Sequence, residues 1–136
     1  MSGDVTRFAR RVLESVKMEQ MELVRDLGAT GSTTILRLNG PLTISTLFLL
    51  QDTLREIPDG DTVIDVSEVP YIDSAGLGTI LSRWAHTQRT GHKFAVTGVS
   101  PRIGVLLEIT KVNTVLPMFK TAEEADHNFT GKTAAV

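Results

Sequence analysis

Tyr71-Ile72-Asp73-Ser74-Ala75-Gly76-Leu77-Gly78 decides the reading of this chain, because it follows the apolar run Thr62-Val63-Ile64-Asp65-Val66. Such a run reads as a strand buried on both faces, which places it at the centre of a sheet. The strand ends near the aspartate–serine pair, and a helix begins there with Leu77, Ile80, Leu81 and Trp84 on its core face. The spacing predicts that helix to about Arg89, with Gly91 as its stop. In the first turn of a helix the N–H groups lack intrahelical partners, and the helix dipole favours negative charge. A phosphate on Ser74 is therefore compatible with a folded domain.

Outward from this stretch, two β-rich runs (20–26 and 33–38) flank Gly28-Ala29-Thr30-Gly31-Ser32, a hairpin signal. Thr34, Leu36 and Leu38 face one side and Ile35 the other. Asn39-Gly40-Pro41 ends the second run, and Thr43 is the expected N-cap of a helix through Ile57. Ile44, Leu47, Leu50, Leu54 and Ile57 form its buried face, and Pro58-Asp59-Gly60-Asp61 stops it. Residues 94–99 read as another strand. Ser100 and Pro101 read as an N-cap and a first-position proline, with Ile103, Leu106, Leu107 and Thr110 as the inner stripe. Residues 115–119 form a short last strand whose Pro117 marks an edge. Thr121, followed by Glu123 and Glu124, caps one more short helix. Two strands followed by alternating helix and strand make an α/β domain with parallel later strands and right-handed crossovers.

The 136 residues suit one domain, placed at 18–128. Val5, Phe8, Val12 and Val16, among Arg7, Arg10, Arg11 and Lys17, suggest an amphipathic extension over 1–17. It would pack on its own domain or form a homodimer with a twin subunit. Residues 129–136 are expected to be a disordered tail. A composition 41% hydrophobic and 22% charged is that of a globular chain, and a net charge of −2 argues against a nucleic-acid partner. The absence of cysteine excludes disulfides, thiolate metal sites and cysteine nucleophiles. No apolar run approaches the roughly 20 residues of a membrane span, and residues 1–17 lack a signal-peptide core. The expected location is cytoplasmic, without membrane insertion.

Catalysis finds little support. His86 and His92 lie six residues apart, which is not a one-face ligand spacing, so no metal site is expected. Asp65 and Asp73 would form a magnesium pair only beside a companion lysine, and Thr97 stands where that lysine is needed. Ile72-Asp73-Ser74-Ala75-Gly76 lacks the first glycine of the esterase elbow, and no histidine is placed as its base. Gly76-Leu77-Gly78 lacks the lysine of a phosphate loop. The chain is thus read as a non-enzyme without a cofactor. Ser74 remains either a helix cap worth about 1 kcal/mol or a modification site, with Ala75 and Gly76 leaving its hydroxyl uncrowded and Leu77 anchoring the turn.

The segment from Val63 to Gly78 resembles the core motif of the STAS (sulphate transporter and anti-sigma-factor antagonist) family, and is most similar to bacterial anti-anti-sigma factors. Leu36-Arg37-Leu38-Asn39-Gly40-Pro41-Leu42 and the stretch from Val99-Ser100-Pro101 to Ile109-Thr110-Lys111-Val112 agree as well. The resemblance implies a mixed sheet of four or five strands with helices mainly on one side. It implies that Ser74 occupies the phosphorylated position. The implied partners are an anti-sigma serine kinase and a serine phosphatase. The unphosphorylated protein would bind the kinase and free a sigma factor, with Thr43, Asp73, Ala75, Gly76 and Leu77 at the partner surface. The family's glycine-glutamate-leucine-aspartate is here Gly40-Pro41-Leu42-Thr43, so both acids are missing. The alternative is a constitutive scaffold or transporter-associated subunit in which Ser74 only caps the helix.

Overall fold

Apolar residues point to both faces of the central strands, and the architecture follows from burying both. The structure, a computed structural model, describes residues 20–131. The extension expected over 1–17 and residues 132–136 lie outside the described residues. The elements are β1 (Glu22–Leu27), β2 (Thr33–Asn39), α1 (Leu47–Glu56), β3 (Asp61–Glu68), α2 (Ser74–Thr90), β4 (Phe94–Thr97), α3 (Pro101–Ile109), a 3-10 turn (Val112–Thr114), β5 (Met118–Phe119) and α4 (Ala122–Thr130). The five strands lie in chain order, β1-β2-β3-β4-β5. β1 and β2 form an antiparallel hairpin, and every later pair is parallel. When each strand is added on the same side of the last, crossovers of one hand set the intervening helices on one face.

That face holds the main core. Leu36, Leu38, Ile64, Val66, Phe94 and Val96 of the sheet meet Leu47 and Leu50 of α1, Leu77 and Ile80 of α2, and Ile103 and Leu107 of α3. The opposite face is smaller: Ile35, Val63 and Ala95 meet Ala122, Ala125 and Phe129 of α4. β3 is the central strand, and Val63, Ile64 and Val66 are fully buried from both sides. Each large side chain removed from water in this way contributes roughly 1.5–3 kcal/mol before entropy is counted. The α/β class and the mixed sheet with helices mainly on one side agree with the sequence. So do the hairpin, the Ser100–Pro101 start of α3 and the edge position of β5.

Several details differ, among them the last strand, which is only Met118–Phe119 and not 115–119. α1 begins at Leu47 with Thr46, not Thr43, as its N-cap. The Thr43 carbonyl accepts from both Thr46 N (3.0 Å) and Leu47 N (2.8 Å), closing a turn before the helix. The Thr46 hydroxyl fastens that turn by donating to Pro41 O at 2.7 Å and accepting from Thr43 N at 2.9 Å. Ile44 consequently sits in the turn, 60% exposed, instead of on the buried face. β4 stops at Thr97 because Gly98 adopts φ 71°, and a Cβ there would lie 2.6 Å from Ser67 Cβ. Thr110 is not part of the inner stripe of α3; it is exposed and closes the helix. Lastly, α4 runs to Thr130 and Phe129 is buried in the smaller core, so the domain continues past residue 128.

Candidate functional site: the Ser74 turn

Parallel strands deliver their following loops to the same edge of a sheet. β2 and β3 are parallel neighbours, so the loop leading to α1 and the loop leading to α2 lie side by side. They are zipped together by backbone. Leu42 N donates to Tyr71 O at 3.1 Å, Asp73 N donates to Leu42 O at 3.2 Å, and Leu42 and Ile72 form a parallel bridge. Gly76 makes this approach possible. A Cβ at that position would lie 2.3 Å from Leu42 O, well inside contact distance.

Asp73 is the N-cap of α2. Its Oδ1 accepts from Gly76 N at 2.8 Å, satisfying a first-turn N–H that has no helical acceptor. Its Oδ2 accepts from Ile44 N at 3.0 Å. One carboxylate therefore clasps two loops. The Gly76 N–H, helped by those of Ile44 and Ala75, holds the Asp73 carboxyl below the ordinary aspartate range, against the opposing effect of partial burial.

Ser74 is the first residue of α2 and is exposed. It is not the cap, contrary to the cap-only alternative, and the side-chain hydrogen bonds of the turn among the described residues are made by Asp73 and not by Ser74. Of the other residues assigned to a partner surface, Asp73 and Ala75 are half-buried and reach solvent. Thr43, Gly76 and Leu77 are buried. They build the turn from beneath.

The other candidates are not brought to this turn. Asp65 is held within the sheet by Ser67 N (3.1 Å), Ser67 Oγ (2.5 Å) and Thr97 Oγ1 (2.7 Å). The Asp65 and Asp73 carboxylates are thus each occupied by their own donors and do not form a pair. Thr97 supplies a hydroxyl where a phosphoacceptor site would need a lysine. His86 bonds Asp59 at 2.6 Å, His92 meets the Thr90 hydroxyl at 3.0 Å, and His127 is exposed on α4. Among the described residues no group of three or more histidine, aspartate or glutamate side chains is placed to hold a metal.

Two features escape a reading of spacing alone. The first is an apolar surface beside the serine turn, formed by Ile44 and Phe48. The second is Arg83, which is buried in the inner stripe of α2 together with Leu77, Ile80 and Thr87. A step of three or four from Leu77 and Ile80 reaches Arg83 as readily as Trp84, but hydrophobicity favours the tryptophan, which is only half-buried.

A model of the STAS domain family matches residues 20–125. The chain belongs to the STAS family. An anti-sigma factor antagonist from Mycobacterium paratuberculosis has the same fold, with a TM-score of 0.73 at 16% identity over 81% of this chain and 94% of that one. A sulfate transporter family protein from Wolinella succinogenes gives 0.67 at 18% identity over 80% and 92%. The anti-sigma factor antagonist SpoIIAA in its unphosphorylated form gives 0.65 at 17% identity over 85% and 98%. At such identities the likeness is one of fold. No helix among the described residues is long and apolar enough to cross a membrane.

Proposed function

We propose that this STAS domain is an anti-sigma factor antagonist, a phosphorylation-controlled binding module that sequesters an anti-sigma serine kinase. Ser74 accepts the phosphate, and a serine phosphatase removes it. The observation that carries this reading is the division of labour at the start of α2. Asp73 does the capping, which leaves the exposed Ser74 hydroxyl without a structural duty. A phosphoserine there brings about −1.5 to −2 charges, which the helix N-terminus tolerates. The same charge in a close interface adds desolvation and repulsion. A penalty of about 3 kcal/mol lowers partner affinity more than a hundredfold.

The partner surface also departs from the family pattern in its chemistry. With Pro41-Leu42-Thr43 in place of the two acids, the edge beside Ser74 presents Ile44 and Phe48, 60% and 58% exposed. That surface suits a kinase whose facing side is apolar at this point and not basic. The module works by binding, without catalysis or a cofactor, in the cytoplasm where such kinases act. The test is incubation with the cognate kinase and ATP. One phosphate is expected per chain, and none in Ser74→Ala; undiminished labelling of that variant would refute the assignment. Ser74→Asp is expected to weaken kinase binding, and unchanged affinity would point to a constitutive subunit.

A further inference from the structure

Arg83 is 6% exposed, and among the described residues its guanidinium donates only to the Thr62 hydroxyl, from Nε at 3.4 Å and Nη2 at 3.2 Å. Among the described residues no carboxylate lies within ion-pair distance of it. A guanidinium carries five N–H donors, and Nη1, which has no protein partner among the described residues, is not a fully buried atom and can still reach a ligand. Asp59 acts on Arg83 only through space and is itself engaged by His86. Burial accordingly holds Arg83 below its ordinary value, with the Asp59 charge as a partial offset.

Arg83 lies in the lining of a groove of about 800 Å³ between α1 and α2. Ile44, Leu47, Phe48 and Leu54 supply an apolar wall that begins beside the Ser74 turn. Arg55, Arg89 and the hydrogen-bonded pair His86–Asp59 line the groove with Arg83, so that the arginines outnumber the one carboxylate. A volume of this size, an apolar wall and a few polar groups are the features of a small-molecule site. An arginine fork matches a carboxylate with two parallel hydrogen bonds.

We infer that this groove binds a small amphiphilic anion, with a carboxylate head on Arg83 and an apolar tail along Leu54, Phe48 and Ile44. The head adds a carboxylate partner to a guanidinium that holds only the Thr62 hydroxyl among the described residues, and the tail lies on part of the apolar wall that the proposed kinase surface shares. An acidic segment of another protein is the competing occupant. The recess of Arg83 and the groove volume favour the small molecule, whose head enters without ordering a peptide backbone.

Dodecanoate, kept below its micelle-forming concentration, is the probe, titrated into the full chain by calorimetry with dodecanol and acetate as controls. Saturable one-to-one binding is expected, at least tenfold tighter than for either control. Arg83→Gln is expected to weaken it tenfold or more. Phe48→Asp alters an exposed wall residue, so its fold is retained, and it is expected to weaken binding to a similar degree; melting curves check both variants. Absence of saturable binding, equal affinity for dodecanol, or indifference to both substitutions would each overturn the inference. So would an acidic amphipathic peptide that binds and is lost in both variants while dodecanoate does not bind.

Discussion

Two serines stand where consecutive strands hand over to helices, and they are used in opposite ways. Ser100 caps α3: its Oγ accepts from Ile103 N at 3.3 Å, and Pro101 takes the first helical position. Ser74 stands one place further along, at the first helical position of α2, because Asp73 has taken the cap. The hydroxyl of Ser100 is committed to holding its helix, whereas that of Ser74 is not. A carboxylate cap is what separates a serine needed for folding from one free for modification.

That contrast can be broken by substitution. The largest effect is expected at Gly76, which lets the two loops of the serine turn touch. Gly76→Ala places a methyl against Leu42 O and is expected to destabilise by about 2–3 kcal/mol, read from the urea midpoint. A near-neutral result would mean that the loops separate freely. Asp73→Ala removes both the cap and the clasp to Ile44 and is expected to cost about 2 kcal/mol. The same residue gives a pH signature. Its folded pKa lies below the unfolded value, so its contribution is fully present above about pH 4. It is lost as pH falls through the lower, folded value. Urea titrations at neutral and acid pH are expected to show that Asp73→Asn flattens this acid limb and Ser100→Ala does not.

The smallest pair of effects sharpens the comparison most. Ser100→Ala is expected to lose about 1 kcal/mol, and Ser74→Ala to stay within about 0.5 kcal/mol of the parent. Equal losses at the two serines would show that Ser74 has a structural duty after all.

Much of this was legible in the residues because it rests on local rules. The apolar run through β3, the Ser100–Pro101 start and the Gly91 stop each need only a few neighbours. The Ser74 turn was legible as a place, but its division of roles was not. Whether Asp73 or Ser74 caps α2 depends on Ile44, 29 residues away, which gives the aspartate a second donor. The Thr43 helix start was misplaced for a similar reason, since the Thr46 hydroxyl reaches back to Pro41. The spacing pattern also has no means of marking Arg83 as buried, because a 3.6-residue period says which positions face inward and composition then favours the apolar one.

The Asp73 clasp has one more consequence. The Ile44 amide proton belongs to a different crossover from Ser74, yet it points at the carboxylate beside that serine. Its chemical shift and its exchange with solvent should respond whenever the charge next to Asp73 changes. The fold thus carries its own gauge of the serine's state, one that needs neither a label nor a partner.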